Sequence, residues 1–210
     1  MCLVLAHQVR EVSEGADWRG NPLTHAECIA RMIERSGRLN PLLEAPWVKT
    51  SIFKMDWLHA SDQGVAADFI GNVIFYFESV FPGASKDKRY IAIFQEIQQF
   101  YEDEDVPDRM DCLKPQFIEH KTDIKLKTSA AKCRKLVPFV LRLARELCDI
   151  SNPVEEAILK AAQHLNAVYD CLSKSHIEAD HAMREHSIKF ASQYVALHDH
   201  LNPDDDRVWK

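Results

Sequence analysis

Residues 56–77 read DWLHASDQGVAADFIGNVIFYF, and the period of their apolar positions decides the fold. Val65, Phe69, Val73 and Phe77 recur at spacings of four, with Ile70 and Ile74 beside them. That is the repeat of a helix laid against a core rather than of a strand. Asp62 is placed to cap the helix, and Pro82-Gly83 to end it. At the head of the same stretch, Asp56 follows a short apolar run and His59 comes three residues later. These two residues are either part of a catalytic centre or the polar edge of a helical core.

The pattern spreads outward from there. Thr24 with Glu27 three residues on forms a capping box, Cys28, Ile29, Met32 and Ile33 line one face, and Gly37 supplies a stop. The proline-punctuated stretch that follows is irregular or extended, with a strand candidate at about residues 50–55. A helix over about 86–104 presents Ile91, Phe94, Ile97 and Tyr101. From Lys127 another helix shows Leu136, Val140, Leu143 and Leu147, with Pro138 expected to kink or restart it. Asn152-Pro153 opens the next, striped by Val154, Ile158, Ala161, Leu165 and Val168. Ser175 with Glu178 makes a second capping box for a last helix to about residue 200. The expected fold is mainly α: an irregular bundle of six or seven helices with at most one or two short strands. Its organisation reads as an irregular segment over 1–23, a helical region over 24–104, a connector over 105–126 and a second helical region over 127–210.

Composition narrows the function classes. Apolar residues make up 46% and charged residues 28% of the 210, as in ordinary folded proteins, and a net charge of −6 argues against a surface built wholly for nucleic acid. Six scattered cysteines without a CxxC pair, and an N-terminus with too short an apolar run for a signal peptide, point to reduced thiols in the nucleus or cytoplasm. The most apolar run, residues 69–81, is broken by Asn72 and Glu78 and is too short to span a bilayer, so no membrane role is expected. Charge is nonetheless polarised locally. Residues 121–135 hold six basic groups and one acidic, while 102–111 hold six acidic and one basic. Within the first, Lys125, Lys127, Lys132, Arg134 and Lys135 are the candidate contacts to a DNA backbone. The plainer reading pairs them with the acidic stretch or leaves them solvated.

Other chemistry is thinner. The last helix is rich in histidine (His176, His181, His186, His198, His200), and Glu178 with His181 has the spacing used in di-iron bundles. Only one such element is present, and the steps between the first three histidines turn their rings in different directions, so a solvated face is preferred. The cysteines lie mostly on apolar stripes, where structural thiols belong. Phosphate-loop, dinucleotide and nucleophile-elbow signatures are absent from the sequence.

The segment DWLHASDQGVAADFIGNVI resembles the Asp-x-(Met/Leu)-His…Gly-Val…Gly-Asn block of DDE-type transposases and the proteins derived from them. Asp56 and His59 match its Asp-x-x-His element, and Gly64, Val65, Gly71 and Asn72 match the residues that follow. The flanks, from Asp17 onward and through KLKTSAAKCRKLVPFVLRLARELC to the last residues, are similar to the stretches around that block. The resemblance implies an RNase H-like core interrupted by a helical insertion, with Asp56 as a metal-binding acid. It also implies Mg2+ or Mn2+ if the acid cluster is completed elsewhere, since two-metal strand cleavage needs more than one carboxylate. The further acids of the family are expected outside this chain. The expectation is a transposase-like fragment, catalytically silent and without a cofactor of its own, with residual DNA contact and self-association through exposed apolar surface. A helical protein–protein interaction module with no nucleic-acid role is the rival. An autonomous metal-dependent nuclease is the third reading.

Overall fold

The computed structural model describes residues 24–38, 58–121, 123–172, 177–201 and 209. The chain divides into two compact units, Met1–Asp56 and Trp57–Lys210. In the first, α1 (His25–Ser36) opens on the capping box expected from sequence. The Thr24 backbone N–H donates to Glu27 Oε2 at 2.8 Å, and the Thr24 hydroxyl accepts from the Glu27 N–H at 3.3 Å. Gly37 closes it in the left-handed region, φ 70°, with its N–H on the Ile33 carbonyl. The strand candidate at 50–55 lies outside the described residues.

The second unit is a helical assembly. A π-helical segment, Leu58–Ala66, is bent at Gly64 and leads into α2 (Ala67–Phe77). Then come α3 (Lys86–Asp103), α4 (Ala130–Leu147), α5 (Pro153–Leu172) and α6 (Ile177–Leu201), with 3-10 turns at Glu78–Val80 and Pro115–Phe117. The mainly α architecture is thus observed, with six α-helices and no extended strand among the described residues. Among the described residues the single β-type contact is an isolated antiparallel bridge between Glu119 and Ile124. Pro138 does not restart the helix: α4 runs from Ala130 to Leu147 with the proline inside it, started by the Ser129 side chain on the Lys132 N–H.

Burial follows most of the expected stripes, but Ile33 of α1 is 44% exposed, Phe94, Leu147 and Val154 are half-buried, and the stripes of α2 and α3 each differ at one further position. Phe69, Ile70, Val73, Ile74 and Phe77 of α2 are core residues, but Val65 is 44% exposed, because it sits in the π-helical segment where the 3.6-residue period does not hold. On α3 the buried set is Tyr90, Ile93, Ile97, Phe100 and Tyr101, whereas Ile91 is exposed. Leu136, Val140 and Leu143 of α4 and Ile158, Ala161, Leu165 and Val168 of α5 are buried as expected. Large exposed apolar side chains (Ile33, Val65, Val80, Ile91, Ile150, Leu172) sit on different elements.

Between α3 and α4 a strap, residues 117–127, folds back on itself and across α2. The Lys125 and Lys127 N–H groups donate to the carbonyls of Ile118 and Phe117, and the Leu126 N–H to that of Ala67 at 2.9 Å. Ile118, Ile124 and Leu126 of the strap are buried. The strap lies so close to α2 that a Cβ on Gly71 would sit 2.6 Å from Leu126 N and 2.7 Å from Lys125 Cα. Only glycine allows that approach.

Candidate functional site

Residues 56–77 contain three carboxylates, Asp56, Asp62 and Asp68. Asp56, and any metal ligation through it, lies outside the described residues; His59 is exposed on the π-helical segment. The other two acids are placed, and both are turned toward cations.

Asp62 is 1% exposed. A buried carboxylate persists only when it is paired and its lone pairs are taken. Arg134 of α4 donates to Oδ2 from Nε at 3.2 Å and from Nη2 at 2.6 Å, and the Tyr169 hydroxyl of α5 donates to Oδ1 at 2.6 Å. Burial, reinforced by the bond to Asp62, pushes the Tyr169 hydroxyl far above its ordinary range, so it remains a donor. The bond to Asp62 likewise strengthens the charged form of Arg134. Asp62 therefore is not the helix cap its position suggests. α2 starts at Ala67 without a side-chain cap, and the carboxylate instead ties the π-helical segment to α4 and α5.

Asp68, in the first turn of α2, meets Lys125 of the strap at 3.2 Å. Burial raises its carboxyl above the usual range, and the Lys125 ammonium opposes that rise. One turn on, Asn72 is 2% exposed with its amide fully engaged. Its Nδ2 donates to the carbonyls of Asp68 (2.8 Å) and Ile124 (3.0 Å), and its Oδ1 accepts the backbone N–H of Trp209 at 2.8 Å. The Trp209 ring is buried against Phe69 and Tyr194. Gly71 and Asn72 thus act together: the first lets the strap approach, the second bonds it and the tryptophan to α2.

The five cations proposed for DNA do not form one open patch. Arg134 and Lys125 are held by Asp62 and Asp68. Lys132 lies 3.5 Å from Asp111, whose side chain is 95% exposed. Lys127 is exposed and Lys135 half-buried, and neither makes an ion pair among the described residues. Of the plainer reading, which paired these cations with residues 102–111 or left them solvated, the pairing is realised among the described residues through Lys132. Elsewhere in that stretch Glu102 pairs with Arg109, and Asp103 with Arg142 of α4 at 2.7 Å.

The remaining candidates are thiols and histidines. Burial pushes the Cys133 and Cys148 thiols up to about 12, which leaves them protonated and unreactive near neutral pH. On α6, His176 and the Glu178 side chain lie outside the described residues and His181 is exposed. No group of three or more metal-ligating side chains is assembled among the described residues. What sequence reading missed are the partners: Tyr169 and Arg134 for Asp62, Trp209 for Asn72, and His164 of α5, which faces His186 of α6. Gly71 alone advertised its role, since a glycine inside an apolar helix marks a close backbone approach.

The chain matches no family model, no curated protein and no solved structure. The resemblance to DDE-type transposases rests on the residues quoted for it. The described part of that block forms a packing junction.

Proposed function

We propose that this chain is the helical part of a transposase-like protein, serving as a scaffold and not as the strand-cutting centre, with a limited grip on a nucleic-acid backbone. The observation that carries the reading is the disposition of Asp62 and Asp68. Each is neutralised by a cation from the basic stretch, so neither is open to a metal ion, and Arg134 and Lys125 are correspondingly withdrawn from phosphate. Lys127 and Lys135 remain for backbone contact, while Lys132 faces Asp111.

Salt dependence tests this directly. Binding to duplex DNA weakens with salt with a log–log slope of about −0.9 per phosphate neutralised. Two free lysines predict a slope near −1.8, and all five cations would give about −4.5. A gel-shift series across salt, repeated with Lys127→Gln and Lys135→Gln, should return the shallow slope and lose it in the double variant. A slope near the steeper value would refute the scaffold reading. The rival, a helical protein–protein interaction module, is favoured by the same withdrawal of cations, and complete absence of a shift at low salt would select it.

A further inference from the structure

Among the described residues α5 and α6 form the most extensive helix pairing, and two imidazoles meet between them. His164 Nδ1 and His186 Nδ1 are 3.1 Å apart, with ring centroids at 5.3 Å and planes inclined by 34°. Both rings are partly buried. Two Nδ1 atoms at that distance share one proton: one ring donates Nδ1–H and the other accepts with its lone pair. We propose that the His164–His186 contact is an acid-sensitive clip that holds α6 against α5 and releases it when the second proton binds.

The order of protonation follows from the atoms. In the neutral pair the donor ring still has a lone pair on Nε2. A first proton added there leaves the Nδ1–H···Nδ1 bond in place and makes it charge-assisted. A second proton has only the acceptor's Nδ1 to occupy. It removes the last lone pair between the rings and sets two cations 3.1 Å apart at their facing nitrogens. The bond is then replaced by repulsion across the helix interface. The two steps belong to the pair as a whole.

The surroundings work the same way. Burial, and then the neighbouring His186, hold the His164 imidazole below its ordinary value of 6.5. The other charged groups acting on it are Lys189 and Glu185 of α6, which are bonded to each other and push in opposite directions. From α4, the other helix that packs on α5, no charged group acts on His164 among the described residues. For a base whose folded value is depressed, the folded state is favoured above the unfolded value and loses that advantage as pH falls below 6.5. The clip is therefore closed near neutrality and opens in acid.

Histidine-labelled NMR on the intact chain, with amide hydrogen exchange over the same pH range, tests the clip. The expected result is two separated protonation steps for His164 and His186, the second below the ordinary histidine range. Exchange in α5 and α6, corrected for its intrinsic pH dependence, should quicken at least about threefold with the second step. His164→Gln supplies a carbonyl that accepts from a protonated His186, so that variant should keep its protection in acid. Two overlapping, independent titrations at ordinary values would overturn the proposal. So would equal acid loosening in wild type and variant. If the variant does not fold, the wild-type titration decides alone.

Discussion

Two stretches of this chain carry opposite and equal local charge, −5 over residues 102–111 and +5 over 121–135, yet they are used differently. The acidic groups of the first stay at the surface. Glu102 and Asp111 are largely exposed, and their pairs with Arg109 and Lys132 are solvent-screened contacts worth little. The basic stretch sends two of its six cations inward, Arg134 onto the buried Asp62 and Lys125 onto the partly buried Asp68. A charge count therefore says little about which charges are available to a partner. Availability depends on whether a buried opposite charge needs the group, because leaving such a charge unpaired is costly.

The contrast is broken most severely by pushing the basic strap off its support. In an open helix, replacing glycine by alanine would stabilise by about 1 kcal/mol. At Gly71 the added Cβ meets strap backbone at 2.6–2.8 Å, and backbone cannot swing aside as a side-chain tip can. Gly71→Ala should therefore cost about 3 kcal/mol in chemical denaturation, overriding the propensity gain. It should also separate Lys125 from Asp68. A stability at or above wild type would mean that the strap does not press on α2.

Removing the buried charge comes next. Asp62→Asn keeps a carbonyl for the Tyr169 hydroxyl but loses the charge that holds Arg134. The guanidinium, about half exposed, can turn to water, so the loss should be nearer 2 kcal/mol than the larger values seen for fully enclosed pairs. The freed Arg134 should then steepen the salt dependence of DNA binding by close to one unit. A variant that loses stability without changing that slope would separate the packing role of Asp62 from the availability of Arg134.

How much of this was legible follows from sequence distance. The Thr24–Glu27 box and the Phe69–Phe77 stripe were readable because each is settled within one or two turns of its own helix. Asp62 was misread as a cap because its partners lie 72 and 107 residues away, and no local pattern marks them. Asn72 poses the same problem, with Trp209 137 residues further on. Ile91 looked like a core position because it falls in step with Phe94, yet the buried face of α3 runs through Tyr90, Ile93 and Ile97. Which side of a helix with apolar residues on two faces turns inward depends on its neighbours. The basic stretch was legible as charge and illegible as function for the same reason: its partners are distant in the chain.

The smallest effect expected is at Asp68, and its sign is the informative part. Burial raises this carboxyl above its usual 3.8 and Lys125 only partly offsets the rise, so ionising it opposes folding. The folded state then binds the proton more tightly than the unfolded one. The resulting contribution is fully present below 3.8 and is lost as pH rises through the folded value. Asp68→Asn holds the site permanently uncharged, keeps the Asp68 backbone carbonyl for Asn72, and gives up the ion pair with Lys125. The two changes oppose each other, and the net effect near neutrality should be under about 1 kcal/mol. The wild-type stability advantage, measured by denaturant midpoints, should shrink or reverse as pH climbs from about 3 to about 6. If instead the wild type gains on the variant over that range, Lys125 outweighs burial, and the strap is held to α2 by charge as well as by Gly71 and Asn72.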